Sequence, residues 1–263
     1  MKTKGLILLT LLLGCFLTVG ATNHVKGNGQ LTTKKISIGD YNAIKIGAVA
    51  DFYYEQNNEA PYIEVTIDEN LHQYVNLDVT ERELQIGFKG ATVDHFTKFT
   101  IHTNSKWLKE VKIDGNAKFV ISTPISGDEL KINGNSGCVV NAQQQIKTGQ
   151  LTVEAAGSCT INIAGISVTN LNCKIAGNGI INITNGTAKT GECNIANKGQ
   201  IHAFGCMVDD MNCKIIGKGQ AEVSASKNLY LSLIGRGSIS YKGEAEVHQT
   251  IVGGGKVQKV VKE

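Results

Sequence analysis

A short glycine-centred motif returns about every twenty residues from the middle of this 263-residue chain to its end. It reads IDGNA at 113–117, INGNS at 132–136, AAGSC at 155–159, IAGNG at 175–179, IANKG at 195–199, IIGKG at 215–219, LIGRG at 233–237 and IVGGG at 251–255. With centres at 115, 134, 157, 177, 197, 217, 235 and 253, the successive steps are 19, 23, 20, 20, 20, 18 and 18 residues. A sustained period in this range signals a solenoid, in which each repeat is one turn of a coil stacked on the last. The period constrains an architecture and a surface, and leaves the chemistry to the side chains placed on it.

Around each motif apolar residues alternate with polar ones, the period of a strand. In the fourth copy Leu171, Cys173 and Ile175 face one way and Asn172 and Lys174 the other; past Gly177-Asn178-Gly179, Ile181 and Ile183 alternate with Asn182. The same inner positions hold Met211, Cys213, Ile215 and Val223, then Leu229, Leu231, Leu233 and Ile239. Each turn therefore reads as strand, tight corner, strand, loop, with no stretch of helical period. Stacking such turns gives parallel strands, and the crossover rule favours a right-handed coil. The predicted fold is all-β, a right-handed parallel β-helix with turns of about 20 residues.

The corners are chemically restricted. Gly177, Gly179, Gly199, Gly217, Gly219, Gly235, Gly237 and Gly255 are assigned to them, as sites of positive φ or of close backbone approach. Two positions beyond the centre, Ala117, Ser136 and Cys159 precede the run of glycines; between centre and glycine stand Asn116, Asn135, Ser158, Asn178, Lys198, Lys218, Arg236 and Gly254.

Residues 1–21 read as an export signal: Lys2 and Lys4, an apolar run from Leu6 to Val19, and small residues at Val19-Gly20-Ala21. A rival reading makes Leu12-Leu13-Gly14-Cys15 a lipidation site, against which Phe16, Leu17 and Val19 supply no polar tether. Cleavage removes two lysines and no acid, so a formal charge of +3 drops toward neutrality. Such a chain has no long-range field to gather nucleic acid, and no later stretch is apolar enough to span a membrane. The location expected is the periplasm or cell surface. Residues 108–263 form the repeat. Residues 22–107 are β-rich without it, and either supply the first coils or cap the edge of the stack; Asp68–Tyr74 fits one helical turn.

Three features together carry a resemblance: the segment Lys34–Ile44, the VTIDENL element at Val65–Leu71, and the closing run Tyr241-Lys242-Gly243 with Val247–Gly255. With the glycine corners they resemble the auto-transporter adhesin "head GIN domain" proteins over nearly all of the chain after the leader. Corners that are Ser-Gly-Ser-Gly in that family are here Gly-Asn-Gly, Gly-Lys-Gly or Gly-Arg-Gly. The resemblance implies a β-helix at the envelope of a Gram-negative bacterium and supplies no catalytic residues.

Six cysteines follow the leader. An even number in an exported chain suggests disulfides, yet Cys173, Cys193 and Cys213 are 20 residues apart and share one inner site. In-register side chains point in parallel, which disfavours bridging. They read as a buried thiol ladder, with Cys138 aligned to Phe119, Ile161 and Ile181. No metal site is expected, since no CxxC pair exists and no histidine joins the ladder. Outside, Lys112, Lys131, Lys174 and Lys214 share one column, interrupted by Glu154 and Asn194, while Lys198, Lys218 and Arg236 occupy three consecutive corners. Such a ridge matches a repeating anion, for example a sulfated or uronic polysaccharide, or serves only to keep the corners solvated.

Catalysis has little to rest on. Asp209-Asp210 reads as a turn between strands, and His24, His72, His95, His102, His202 and His248 are scattered without HExxH or triad context. No cofactor is expected. The sequence favours a non-enzymatic adhesin or carbohydrate-binding surface, with a structural spacer and a polysaccharide lyase or hydrolase as alternatives.

Overall fold

The structure, a computed structural model, describes residues 23–261. The leader at 1–21 and the Cys15 alternative lie outside the described residues. Within them the chain is a solenoid of about 8 turns, built of stacked parallel coils. Register is kept from coil to coil, as in Cys173 opposite Cys193 and Cys193 opposite Cys213.

Each coil has three inward-facing runs. In the strand Thr160–Gly177 they are Ile161 with Ile163, Ile166 with Val168, and Leu171 with Cys173 and Ile175, all buried. The alternation slips phase between runs, so the strand bends and still faces the core. Neighbouring coils keep their hydrogen bonds through these bends, and strands reach 19 residues in Val139–Gly157. In the coils at 139–177 and 200–235 the expected loop is thus absorbed into the ladder, while short breaks remain at 122–124, 184–185 and 243–245. Asp209 and Asp210 are corrected in the same way: both lie inside the strand Gln200–Gly217. Asp209 accepts from Ser226 and Lys227 of the next coil, and Asp210 from Asn228.

The glycine corners resolve into two columns with different causes. Gly217 adopts φ +122°, a conformation that side chains with a Cβ avoid. Gly219 has ordinary φ but no room, since a Cβ there would lie 2.5 Å from Ile195 Cγ2 and 2.9 Å from the Gly199 carbonyl.

The second repeat is out of the register expected. Asp114 pairs with Asn135 and Gly157 with Gly177, and Ser136, at φ 65°, takes the corner conformation two residues after Gly134. Gly134 instead stands opposite Ile113 and Ala155 in an inward column. Two assignments move with it. Phe119 pairs with Val140, so Cys138 falls beside Cys159 in the crowded corner column; Lys112 pairs with Asn133, so Lys131 belongs with Glu110 and Thr152.

Residues before the repeat both continue the coil and cap it. Ala43–Ile46 pairs in parallel with Glu110–Asp114 on one edge and with Glu83–Phe88 on the other. Asp51–Gln56 likewise lies between Lys118–Ile121 and Thr100–Ser105. The first coil made is therefore enclosed by two later ones. Below them the pairing turns antiparallel: Tyr62–Asp68 lies between Thr100–Ser105 and Leu31–Ser37, and Val75–Thr80 returns along Glu83–Phe88. These antiparallel strands cover the parallel edge of the stack, with Leu31–Ser37 and Val75–Thr80 outermost.

The VTIDENL element fastens this cap. Asp68 is fully buried and accepts hydrogen bonds from Gly29 N at 2.7 Å, Thr97 N at 2.7 Å and Thr97 Oγ1 at 2.8 Å. Burial pushes its carboxyl upward, but the hydrogen bonds from Thr97 and Gly29 outweigh it and hold the group below the usual carboxylate range. Asn70 bonds to Asn28 N and Lys26 O, Leu71 is buried, and Glu69–Tyr74 forms the one helical turn expected.

Candidate functional site

The corner column places Lys198, Lys218 and Arg236 on three successive coils. Their backbone amides bond to the corner below: Lys198 N to Gly177 O at 3.0 Å, Lys218 N to Asn197 O at 2.7 Å, and Arg236 N to Gly217 O at 2.8 Å. These bonds hold the three cations at the spacing of stacked strands, about 4.8 Å per coil. None of them forms an ion pair among the described residues. The three residues thus occupy the same corner position on successive coils.

Beside the ridge runs a column that sequence reasoning missed. Ala156, Ala176, Ala196, Ile216, Ile234 and Val252 follow one another in register on the outer face. The last three are open to solvent, with exposures of 48%, 42% and 57%. A signal for them exists in Ile215-Ile216, Leu233-Ile234 and Ile251-Val252, because of two adjacent strand residues only one can face the core.

On the far side of this stripe stands the column Lys112, Asn133, Glu154, Lys174, Asn194 and Lys214. Its early part is neutralised. Lys112 lies 3.0 Å from Glu110 and 3.3 Å from Glu83, and the hydrogen bond to Glu110 raises its pKa. Glu154 sits between Lys131 at 3.7 Å and Lys174 at 3.6 Å. Further along, Lys214 has no carboxylate partner among the described residues. Small alanines between longer walls leave a depression of about 860 Å³ that runs from Lys112 and Asp114 to Lys214 and Ile216. A second hollow, about 470 Å³, straddles the corner at Asn178, Lys198 and Lys218. The site is an apolar stripe flanked by Lys214 and Lys218 at Ile216 and by Arg236 at Ile234, the far column continuing past Lys214 as Ser232 and Thr250.

The cysteines divide into two groups. Cys173, Cys193, Cys206 and Cys213 are buried free thiols, as the ladder reading expects of three of them. A hydrogen bond between Cys173 and Cys193 together with burial pushes the Cys173 thiol well up, burial does the same at Cys213, and burial takes Cys206 up to about 12. Out of solvent, the four serve packing better than nucleophilic chemistry. Cys138 and Cys159, by contrast, are bonded, with Cα atoms 4.6 Å apart. Both lie between strands, where the backbone leaves the extended conformation and the parallel-pointing argument no longer holds.

Asp209 and Asp210 are engaged by neighbouring side chains, and His202 bonds Glu222 at 2.8 Å and Gln200 at 3.1 Å in a surface ladder. No group of three or more His, Cys, Asp or Glu among the described residues is arranged to hold a metal ion. No helix among them is long and apolar enough to cross a membrane.

The family model named "Putative auto-transporter adhesin, head GIN domain" matches residues 40–245. Among solved structures, a "putative adhesin" from Parabacteroides merdae is 50% identical, with TM-score 0.90 over 91% of this chain and 100% of that one. A "putative adhesin" from Parabacteroides distasonis is 46% identical, with TM-score 0.89 over 90% of this chain and 100% of that one. A "putative lipid binding protein" from the same species is 35% identical, with TM-score 0.86 over 91% of this chain and 100% of that one. No curated protein matches the chain.

Proposed function

The chain belongs to the auto-transporter adhesin head GIN domain family, and on that premise we propose that it is an exported, non-enzymatic binding module of the cell envelope that holds a polyanionic glycan along its basic corner. One observation carries this reading: Lys198, Lys214, Lys218 and Arg236 bracket a continuous outer stripe, and no carboxylate among the described residues neutralises them. A ligand with regularly spaced sulfate or uronate groups meets cations repeated about every 4.8 Å. Each contact is exposed and worth less than about 1 kcal/mol, so affinity depends on many contacts made together.

Dextran sulfate and polygalacturonate provide the test. Binding strengthens with ligand length and weakens steeply with salt, and the Lys198→Ala, Lys218→Ala, Arg236→Ala triple variant loses it at an unchanged melting temperature. If neither polymer binds the parent in a salt-dependent manner, the ridge is a solvated edge and the structural spacer becomes the better reading.

A second reading has its own observation. Ile216, Ile234 and Val252 are too exposed and too well aligned to be explained by charge recognition alone. An amphiphile with an anionic headgroup would lay its apolar part on them and its charge on the flanking lysines. The relative named for lipid binding supports including this ligand class. Flotation with phosphatidylglycerol vesicles, compared with phosphatidylcholine vesicles, separates it from the glycan reading, and Ile216→Ser with Ile234→Ser weakens only the lipid interaction.

A further inference from the structure

The only tryptophan of the chain lies apart from the basic corner, at the end of a different trough. Trp107 is 46% exposed, although a tryptophan of this size normally buries most of its surface. Its backbone is held in place. Ser105 Oγ donates to Trp107 O at 2.9 Å, and Gln56 Nε2 donates to both Lys106 O and Ser126 O at 2.9 Å. Gln56 Oε1 accepts from Ser126 N at 2.9 Å. One glutamine thus ties the tryptophan loop to the first residue of the trough.

From there two outer columns run along the coils. Ser126, Lys147, Ser167, Thr187 and Met207 stand in register. Asp128, Gly149, Thr169, Lys189 and Asp209 line the other side of a depression of about 900 Å³. Met207, 40% exposed, closes the end opposite Trp107. The hydroxyls of Ser126, Ser167, Thr169 and Thr187 and the carboxylate of Asp128 make no hydrogen bond within the described residues, so they face the trough uncommitted. Lys147 and Lys189 stand among Asp128 and Asp209, the latter also paired with Lys227. Four coil steps span about 19 Å.

We propose that this trough is a subsite for a neutral oligosaccharide, independent of the polyanion-binding corner. An exposed indole at one end offers a flat apolar face to the C–H side of a sugar ring. Unpartnered hydroxyls and one carboxylate, repeated along the coil, suit a chain of sugar hydroxyls better than any single small polar ligand. The absence of net charge among the lining residues distinguishes this ligand from the one expected at Lys198, Lys218 and Arg236. An aromatic platform and a concave surface are usual ingredients of a ligand site, and the many polar groups here set this trough apart from a mainly apolar pocket.

Because Trp107 is unique, its fluorescence reports this subsite alone. The experiment titrates the parent protein with maltohexaose, cellohexaose, xylohexaose, mannohexaose and chitohexaose, and follows emission and acrylamide quenching. At least one gives a saturable blue shift with reduced quenching, unchanged in 0.5 M sodium chloride and in the Lys198/Lys218/Arg236 triple alanine variant. Trp107→Phe retains part of the affinity measured by calorimetry, and Trp107→Ala lowers it at least tenfold. Thr187→Arg, which fills the trough without touching the indole, abolishes the shift while the melting temperature stays within a few degrees of the parent. No shift with any of the five sugars at millimolar concentration overturns the proposal, as does a shift that persists in Thr187→Arg. Failure of the polyanion test leaves this one intact, and the reverse also holds.

Discussion

Gly134 lies directly against the sulfur of Cys138: a Cβ at that glycine would come within 2.5 Å of it and would also meet the sulfur of Cys159. The inward column here reads Ile113, Gly134, Ala155, Ile175, Ile195. Where the corner column carries the bonded cysteines, the facing column shrinks to glycine and alanine. Where the corner column is glycine, the facing column returns to isoleucine. The core keeps its volume by exchanging atoms between two columns, as close packing requires. Gly134→Ala is therefore expected to destabilise by about 1–3 kcal/mol in a denaturant melt. Combining it with Cys138→Ala and Cys159→Ala recovers part of that loss, which a mutant cycle measures.

The Cys138–Cys159 bond closes a loop with a sequence separation of 21 residues. Removing it by the double alanine substitution should cost roughly 2–4 kcal/mol, by releasing chain entropy to the unfolded state. Thiol labelling under denaturing, non-reducing conditions should find Cys173, Cys193, Cys206 and Cys213 reactive and the other two protected. Labelling of Cys138 or Cys159 would contradict the structure.

At the corners, space and charge should separate cleanly. Gly219→Val meets Ile195 and the Gly199 backbone and is expected to destabilise by about 1–3 kcal/mol, whereas Lys174→Ala, on the exposed column, should change stability by less than about 0.5 kcal/mol. Equal melting midpoints for the two variants would rule out the register described.

Asp68 makes the cap sensitive to acid. Its folded-state pKa lies below its ordinary value of 3.8, so its stabilising contribution is complete above that value and is lost as pH falls through the lower folded value. The parent should therefore weaken below about pH 4, and Asp68→Asn should show a smaller change over that window. At neutral pH the same variant is expected to lose about 1–3 kcal/mol, because a buried acceptor serving Gly29 and Thr97 is replaced by an amide that cannot satisfy all of those donors. Hydrogen exchange at Thr97 should accelerate in parallel.

Much of the solenoid is written locally. Leu171, Cys173 and Ile175 alternate within a few residues, and the steps of 20 around them carry the register without knowledge of any contact. Gly134 defeats the same logic, because a glycine needed for space beside a disulfide looks in sequence like one needed for a bend. The true corner residue of that turn is Ser136, whose positive φ no glycine announces. Misplacing one coil by two residues hid both the neighbour relation of Cys138 to Cys159 and the displacement of Lys131 from its column. At the candidate site, Lys198, Lys218 and Arg236 were legible because they belong to the repeat. The trough at Trp107 was not, since that residue enters from a connection outside the repeat and reaches Ser126 only through Gln56.

The enclosure of the first coil has a consequence for synthesis. Ala43–Ile46 and Asp51–Gln56 precede all of their neighbours in the chain, and both of their edges stay unpaired until Glu83–Phe88, Thr100–Ser105 and then Glu110–Ile121 are available. Later coils need only the coil just made, so they can add one at a time as the chain emerges. The beginning of the protein must instead wait and close around distant sequence, a non-local step of the kind that slows folding. Regular coil-by-coil growth is therefore expected only once the described residues up to Ile121 have closed on one another, and a chain truncated short of Ile121 should remain sensitive to protease.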